Sequence, residues 1–469
     1  MRGAPKQQTL ETRDWLGRGG LMGLPWIAFP SHLAGMMMRV RVYAMSALWL
    51  LIAVQYFAWQ LPLTVLLLVP DCGAAYKRAS TWFDRLAQPA ILAVPYSWCG
   101  LRVHTSQYAL MTSMAARGNA LVMTNHCSRI DWIVGMLLGH VLTPKIRIGF
   151  VAEITTMLMP VFGWSRLLFG DVFLRRAFHR DGARIRANVS SFHEAGVDRM
   201  MFVAPEGAIV DPGVPKDEDY VKQCRAFARA LGREGLKFLL TPRYKGIQLL
   251  ALHAPDAVFS VTMTFRCRST VGPKRDVEID ASGKATGGEL CTRALDDPRR
   301  VVPDLHTIFR GGLHVFCHIH RLHLSPEASS AKVRDSLIAD YERKDRLLAT
   351  FERHGKFDHT DAAYVMSALP IAHARMNFAL LVHSALSAYV VSCFGVDASS
   401  LASGLFMAWV VVSLLHAVTH LYAERISGAS RESLIFETLL KTLIEFTAGK
   451  LDHGSSSSSS SSSSFAKLM

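Results

Sequence analysis

A run of 28 residues without a single charge, 42–69, constrains this chain more than any other feature. About 20 apolar residues suffice for a helix to cross the hydrocarbon core of a bilayer. Pro62 lies inside the run and predicts a kink or a turn there. Basic residues flank the run on both sides, so the positive-inside rule favours neither orientation of a single crossing. We therefore predict that residues 1–100 form an N-terminal membrane-anchoring region, with a hairpin or re-entrant segment whose ends are both cytosolic.

Two more uncharged apolar segments, 376–396 and 398–423, predict a transmembrane helical hairpin within residues 370–425. The turn between them lacks Lys and Arg, whereas arginines border both outer ends. The outer ends are therefore expected in the cytosol, together with the domain that precedes them. Residues 426–469 predict an amphipathic helix followed by a flexible, serine-rich tail.

Composition narrows the class of partner. The chain is 50% hydrophobic and carries a formal net charge of +14, which favours anionic partners. No basic run or nucleic-acid motif occurs, so a lipid surface and a phosphorylated substrate are favoured and nucleic acid is not expected. The eight cysteines form no C-x-x-C pair, which is typical of reduced thiols that face the cytosol.

Residues 101–360 predict one α/β domain with a mostly parallel sheet and flanking helices. Apolar runs rich in β-forming residues alternate with helical stretches, which is the pattern of strands joined by crossover helices. The four strand-like runs are 120–126, 199–207, 256–265 and 313–324. The stretch 331–357 alternates charges of both signs with apolar residues and predicts a long amphipathic helix.

The stretch "NHCSRIDW" places His126 and Asp131 five residues apart, directly after the first of these runs. A histidine suits a general base near neutral pH, and a carboxylate on its second ring nitrogen would fix its tautomer. On a regular helix two such positions lie roughly 140° apart. The two side chains can meet only if His126 precedes the helix and Asp131 lies about one turn inside it. Taken alone, so common a spacing favours a polar turn without catalytic function.

Two other stretches carry candidate binding residues. "APEGAIV" follows another strand-like run, and its turn would expose backbone N–H groups to an anion, with Glu206 and Gly207 at its centre. "GDVFLRRAFHRD" offers Arg175 and Arg176, and an arginine fork suits a phosphate. Each stretch by itself is also consistent with an ordinary loop or a solvated charge pair.

Together and in this order, "NHCSRID", "VFLRR", "APEGAIV" and "AVFSVTMTF" resemble the motifs of the glycerolipid acyltransferases. "LLTPRYKGIQLL", "HVFCHIHRLHLSP" and "YERKDRLLATF" are similar to the lysocardiolipin and lysophosphatidylinositol acyltransferase branch. The resemblance extends over roughly residues 40–425 and implies transfer of an acyl group from acyl-CoA, as co-substrate, to a lysophospholipid. It implies no metal and no further cofactor.

The resemblance assigns a role to each candidate residue. His126 would be the general base and Asp131 its orienting partner. Arg176, with Arg175 beside it, would bind the phosphate of the acceptor, and Glu206 and Gly207 would shape the acceptor site. The hydroxyl and cation that commonly follow P-E-G in this family are replaced by alanine and isoleucine here. Arg243 of "TPRYKG" is the hypothetical substitute, together with the lysine two residues later.

Several alternatives stay open at this level. The acceptor can be lysophosphatidate, or the donor can be a phospholipid in a CoA-independent transacylation; a non-catalytic lipid-binding scaffold is the alternative from another class. A histidine cluster on the last strand-like run lacks paired carboxylates and predicts no metal site. Cys127 beside His126 is interpreted as packing. The resemblance implies an integral protein of the endoplasmic reticulum with a cytosolic catalytic domain.

Overall fold

The computed structural model describes most of the first three quarters of the chain. The described residues are 31–106, 119–142, 147–175, 178–251, 257–269, 276–280, 284–324 and 328–357, with short pieces at 365–366, 376–382, 384–385 and 389. The predicted C-terminal hairpin lies largely outside the described residues. The first 30 residues and the segment 426–469 lie outside them entirely.

Nine α-helices occur among the described residues. They are α1 (Ser31–Gln60), α2 (Gly73–Leu92), α3 (Asp131–Leu142), α4 (Phe162–Leu168), α5 (Phe178–Glu194), α6 (Pro215–Ala230), α7 (Lys245–Ala251), α8 (Leu305–Arg310) and α9 (Ser330–His354). Short 3₁₀ helices span Leu61–Leu68 and Ile154–Leu158, and a π-helical turn spans Ala93–Trp98.

Eleven β-strands occur in the same part of the chain. They are β1 (Arg102–Ser106), β2 (Ala120–Thr124), β3 (Arg147–Glu153), β4 (Val172–Leu174), β5 (Arg199–Val203), β6 (Val258–Cys267), β7 (Val277–Ile279), β8 (Ala285–Gly287), β9 (Glu289–Leu290), β10 (His314–Arg321) and β11 (Val365–Met366).

Nine strands form one mixed sheet in the order β11-β1-β10-β6-β2-β5-β3-β4, with β9 paired to β6. The run from β6 to β4 is parallel throughout, and β10 is antiparallel to β6. The predicted α/β domain with a mostly parallel sheet and flanking helices is confirmed. The four strand-like runs correspond to β2, β5, β6 and β10. Every residue of β2 and of β5 is buried, which explains why both appear in the sequence as continuous apolar runs.

The N-terminal helices pack on the α/β domain through one face. Trp49, Ile52 and Tyr56 of α1 are buried in the main core cluster. The indole N–H of Trp49 donates to the carbonyl of Ile91 in α2 (3.0 Å), and the hydroxyl of Tyr56 donates to Asp84 (2.6 Å). The α-helix ends at Gln60 and a 3₁₀ helix follows, with Pro62 in its first turn.

The opposite face of this region is apolar and exposed. Residues Met36–Leu68 form a helical stretch long and apolar enough to cross a membrane, and little of it is buried inside the protein. Its exposed large apolar side chains include Met37, Tyr43, Val65 and Leu68. This exposure is what a lipid-facing surface requires.

No disulfide bond joins the cysteines of the described residues. The tertiary structure nevertheless brings two of them together. The thiol of Cys291 lies 3.2 Å from that of Cys267 on β6, although 24 positions separate them in the chain.

Candidate active site

The candidate residues collect at one edge of the sheet because of its register. Met123 of β2 lies opposite Val203 of β5 in a parallel pair, and three positions beyond each the chain reaches His126 and Glu206. Arg175 follows directly after β4, which runs parallel to the same strands and therefore ends at the same edge. The carboxyl ends of parallel strands are the usual place for a ligand site in an open α/β sheet.

His126 and Asp131 are in direct contact, as predicted. Nδ1 of His126 lies 2.8 Å from Oδ2 of Asp131. With Nδ1 engaged by the carboxylate, Nε2 is the ring nitrogen left for a substrate. The side chain of His126 is 29% exposed, whereas that of Asp131 is 10% exposed. The imidazole is therefore accessible while its partner is enclosed.

Asp131 is the first residue of α3, not a residue one turn inside it, so that part of the prediction is wrong. The turn that precedes the helix wraps around the carboxylate instead. Its oxygens accept the backbone N–H groups of Cys127 (3.2 Å) and Ser128 (3.4 Å), and the hydroxyl of Ser128 donates to Oδ1. Three donors from one turn therefore hold the carboxylate in the orientation that contacts His126.

The side chain of Asn125 joins two strands. Its side-chain amide donates to the carbonyl of Met263 (2.9 Å), and its Oδ1 accepts the N–H of Met263 (2.6 Å). The side chain is fully buried. These two hydrogen bonds replace a backbone pair at the point where the pairing of β2 with β6 ends. They also fix the position of the residue that precedes His126.

Glu206 is enclosed and links two loops. Oε1 accepts the N–H of His126 (2.9 Å), and Oε2 accepts the N–H of Leu240 (3.2 Å). Burial raises the pKa of Glu206 to about 7, against the opposing effect of the hydrogen bond from His126. Glu206 is 2% exposed, so its carboxyl holds the surrounding loops from within the protein. This position is compatible with shaping the acceptor site but not with a solvent-facing contact.

Gly207 and Arg243 meet at the turn after β5. Gly207 has φ of +66°, the left-handed region that glycine adopts most easily, and a Cβ there would lie 3.7 Å from the side chain of Arg243. The N–H of Arg243 donates to the carbonyl of Pro205 (2.9 Å), and its guanidinium donates to the hydroxyl of Tyr220 (2.7 Å). The tertiary structure thus brings the exposed guanidinium of Arg243 to the turn of Gly207, where the residues that follow in sequence are uncharged.

Arg175, directly after β4, lies farther along the edge. Arg175 is half-buried, and its backbone N–H donates to Asp181 (2.9 Å). With strands about 4.8 Å apart, β4 lies roughly 14 Å from β2 along the sheet. Arg176 lies outside the described residues. Arg243 borders the turn after β5, the strand next to β2, and is therefore nearer to His126 in the sheet order than Arg175 is.

The remaining candidates, Cys127 and the histidine cluster, lie in surroundings typical of residues that support the fold. Cys127 is buried, and burial raises the pKa of its thiol well above the ordinary value, so the thiol is protonated at neutral pH. In the histidine cluster, Nε2 of His320 contacts Asp340 (2.7 Å). No group of three or more potential metal ligands occurs among the described residues.

Comparison with known proteins identifies the domain. Residues 101–264 match the model of the acyltransferase family. The chain is 26% identical over 249 residues to 1-acyl-sn-glycerol-3-phosphate acyltransferase epsilon of Mus musculus, which covers 51% of this chain and 61% of the relative. It is also 26% identical over 245 residues to probable 1-acyl-sn-glycerol-3-phosphate acyltransferase 5 of Arabidopsis thaliana, covering 50% and 54%. Residues 101–264 are therefore similar to the acyltransferase domain, and about half of the chain is similar to 1-acyl-sn-glycerol-3-phosphate acyltransferases.

The match to these acyltransferases is partial. The aligned segment spans only about half of this chain and somewhat more than half of each of these two relatives. The segment that matches the family model contains the His126–Asp131 pair and the turn of Glu206 and Gly207, together with Arg243. It ends before β10 and α9 begin.

Two polar side chains beneath the site were not predicted from the sequence. Tyr341 and Lys344 of α9 are buried, and both donate hydrogen bonds to backbone carbonyls at the end of β2. A signal for them existed in the sequence. They lie three positions apart, so they share one face of an amphipathic helix, and a lysine on the apolar face of such a helix is unusual.

Proposed function

We propose that this chain transfers a fatty acyl group from acyl-CoA to the free hydroxyl of a lysophospholipid. The observation that supports it most is the 2.8 Å contact between His126 and Asp131 at the carboxyl end of β2. An enclosed carboxylate with an accessible imidazole is the arrangement that general base catalysis needs. The sequence relationship to acyltransferases supplies the chemical class.

In the proposed reaction Nε2 of His126 takes the proton of the acceptor hydroxyl. The hydroxyl oxygen attacks the thioester carbonyl, an ester bond forms and the bond from carbon to sulfur breaks. The imidazolium then returns its proton to the leaving thiolate of CoA. Asp131 keeps the proton of the neutral ring on Nδ1 and stabilises the imidazolium that forms in between. No acyl-enzyme is required.

The phosphate of the acceptor is assigned to Arg243. Its guanidinium is exposed, it borders the turn of Gly207, and a planar guanidinium matches phosphate oxygens well. Arg175, farther along the same edge, and Arg176 remain proposed contacts of the phosphate. The names of the relatives favour lysophosphatidate as the acceptor. Lysophosphatidylinositol and lysocardiolipin are the alternatives that the sequence motifs favour.

We infer that the protein works at a membrane. Its acceptor is a lipid, and Met36–Leu68 offers an apolar helical stretch with an exposed face. A location in the endoplasmic reticulum is proposed from the family resemblance, and a cytosolic catalytic domain is proposed from the charge distribution around the apolar segments.

The test uses membranes from cells that express the full chain. Labelled acyl-CoA is supplied with lysophosphatidate, lysophosphatidylinositol or lysocardiolipin, and the labelled product is separated by chromatography. We expect product formation that His126→Ala abolishes at equal protein level. Product formed only when a phospholipid replaces acyl-CoA as donor would identify a transacylase. Activity that survives His126→Ala would exclude the proposed base, and a chain inactive with every acceptor would favour a scaffold.

A further inference from the structure

A helix outside the segment matched to the family contacts both loops of the site. Tyr341, Lys344, Asp345 and Leu348 of α9 occupy positions three and four apart, and therefore share one helical face. This face packs beneath the carboxyl end of β2 and beneath the irregular segment 233–244, which carries Arg243. Of the two adjacent polar residues of this face, Lys344 bonds to strands β2 and β6 beneath the loop of His126, and Asp345 bonds to the segment that carries Arg243.

Lys344 bonds beneath the loop of His126. Its ammonium donates to the carbonyls of Met123 on β2 (3.0 Å) and Val261 on β6 (3.1 Å), and the side chain has no exposed surface. Burial lowers its pKa, while the carboxylates of Asp340 and Glu206 act in the opposite direction. A buried lysine is costly unless its donors are satisfied, so these bonds hold the two strands in a defined relation.

Tyr341 adds a contact at the next residue. Its hydroxyl donates to the carbonyl of Thr124 (3.3 Å), which is the last residue of β2. Asn125 bonds to Met263 on β6 immediately afterwards. Side-chain hydrogen bonds therefore fix three consecutive positions, 123 to 125, just before His126.

Asp345 bonds to the other loop. Its carboxylate accepts the N–H of Phe238 (2.7 Å) and that of Lys237 (3.1 Å). Farther along this segment the N–H of Leu240 donates to Glu206, and the N–H of Arg243 donates to the carbonyl that precedes Glu206. The segment that presents Arg243 is thus attached at one end to α9 and at the other to the turn of Glu206.

We propose that Lys344 and Asp345 are positioning residues with separate tasks, Lys344 for the base His126 and Asp345 for the acceptor-binding Arg243. This inference rests on the proposed function. It makes α9 part of the catalytic unit, although α9 lies beyond the segment that matches the family model. Two neighbouring residues should then affect different kinetic constants.

The test compares three variants of the full chain purified in detergent. Lys344→Met removes the ammonium, and we expect kcat to fall on the order of 10²-fold with both KM values nearly unchanged, because small displacements of a catalytic group cost about that much. Asp345→Asn should raise the KM for the lysophospholipid several-fold and leave kcat close to wild type. Leu348→Ala, on the same face and also buried, is the control for weaker packing of the helix.

A double-mutant cycle separates positioning from general destabilisation. If Lys344 acts through His126, Lys344→Met should cost little more once Asp131→Asn has already misplaced the imidazole. The proposal is overturned if the two effects multiply. It is equally overturned if Lys344→Met and Asp345→Asn change kcat and KM alike, or no more than Leu348→Ala does.

Amide hydrogen exchange tests the same inference without any acyltransferase assay. Lys344→Met should speed exchange of the His126 amide, and Asp345→Asn should speed exchange of the Phe238 and Leu240 amides. Amides of α5 should be unaffected in both. If the wild-type chain transfers no acyl group but the exchange pattern holds, the proposed function has failed and the positioning has not. Unchanged exchange in the two loops would refute the positioning directly.

Discussion

The backbone N–H of His126 donates to Oε1 of Glu206 over 2.9 Å, so one buried carboxyl joins the loops that follow β2 and β5. The second oxygen of the same carboxyl accepts the N–H of Leu240. Glu206 is therefore the point at which the candidate base, the turn of Gly207 and the segment of Arg243 are connected.

The buried Glu206 should make stability depend on pH. Burial raises its pKa from 4.5 to about 7 in the folded protein. Below pH 4.5 Glu206 is protonated in both the folded and the unfolded state, so its burial does not make the free energy of unfolding depend on pH. Between pH 4.5 and 7 the unfolded state releases its proton first, so the free energy of unfolding falls as pH rises, by about 3 kcal/mol in all. Glu206→Gln stays neutral and should lack this component when thermal unfolding is compared at about pH 5 and pH 7.5. An identical pH dependence in the variant would contradict the assignment.

The contact between His126 and Asp131 predicts the largest kinetic effects. His126→Ala should reduce kcat about 10²- to 10⁴-fold, which is the usual contribution of a general base. Asp131→Asn should also lower kcat strongly, because an amide cannot stabilise the imidazolium and favours the wrong tautomer. Initial rates with labelled acyl-CoA measure both. Ser128→Ala, which removes only one donor to Asp131, should have a much smaller effect; a loss as large as that of Asp131→Asn would indicate another role for this turn.

Arg243 should act on acceptor binding. Arg243→Ala removes a cation from the turn of Gly207, and we expect the KM for the lysophospholipid to rise about tenfold or more while the KM for acyl-CoA stays constant. Arg243→Lys keeps the charge but not the planar guanidinium. Its KM for the lysophospholipid should therefore lie between that of the wild type and that of Arg243→Ala. Arg343→Ala, at an exposed position of α9, controls for the loss of one positive charge. Unaltered acceptor kinetics in Arg243→Ala would rule out this contact.

Asn125 should matter for stability. Asn125→Ala leaves the buried N–H of Met263 without its partner and leaves the carbonyl of Met263 only the weak donor of the Cys127 thiol (3.6 Å), so it should lower the free energy of unfolding by about 3 kcal/mol. Asn125→Asp keeps one acceptor but turns a carboxylate toward a carbonyl, so it should destabilise at least as much. Denaturant unfolding in detergent measures both variants. Wild-type stability in either would show that the two hydrogen bonds contribute nothing net.

Much of the fold was predictable because its determinants are local. The strands β2 and β5 are buried on both faces, and therefore appear in the sequence as short apolar runs. The length of the uncharged run 42–69 predicted an apolar helical segment there, whereas the hairpin or re-entrant arrangement of this region stays a prediction. His126 and Asp131 were predictable as a pair because only five positions separate them, and the geometry of a strand followed by a helix limits how they can meet.

The position of Asp131 was predicted less well. A helix boundary is set by the groups that satisfy its first N–H donors, and here the turn of Cys127 and Ser128 folds around the carboxylate. That arrangement is a property of the local backbone path and leaves no distinct pattern in residue spacing.

The sequence by itself determined the fold class, through the periodicity of its apolar runs, and the order of its motifs. The candidate pair of His126 and Asp131 was singled out by the resemblance of those ordered motifs to the glycerolipid acyltransferases. Only the tertiary structure decided that Arg243 borders Gly207, that Glu206 is enclosed, and that Lys344 and Asp345 bond beneath two different loops. Those contacts join residues from 34 to 221 positions apart. Which distant residues meet is fixed by the register of the strands and by the face with which α9 packs, and neither can be deduced from local sequence.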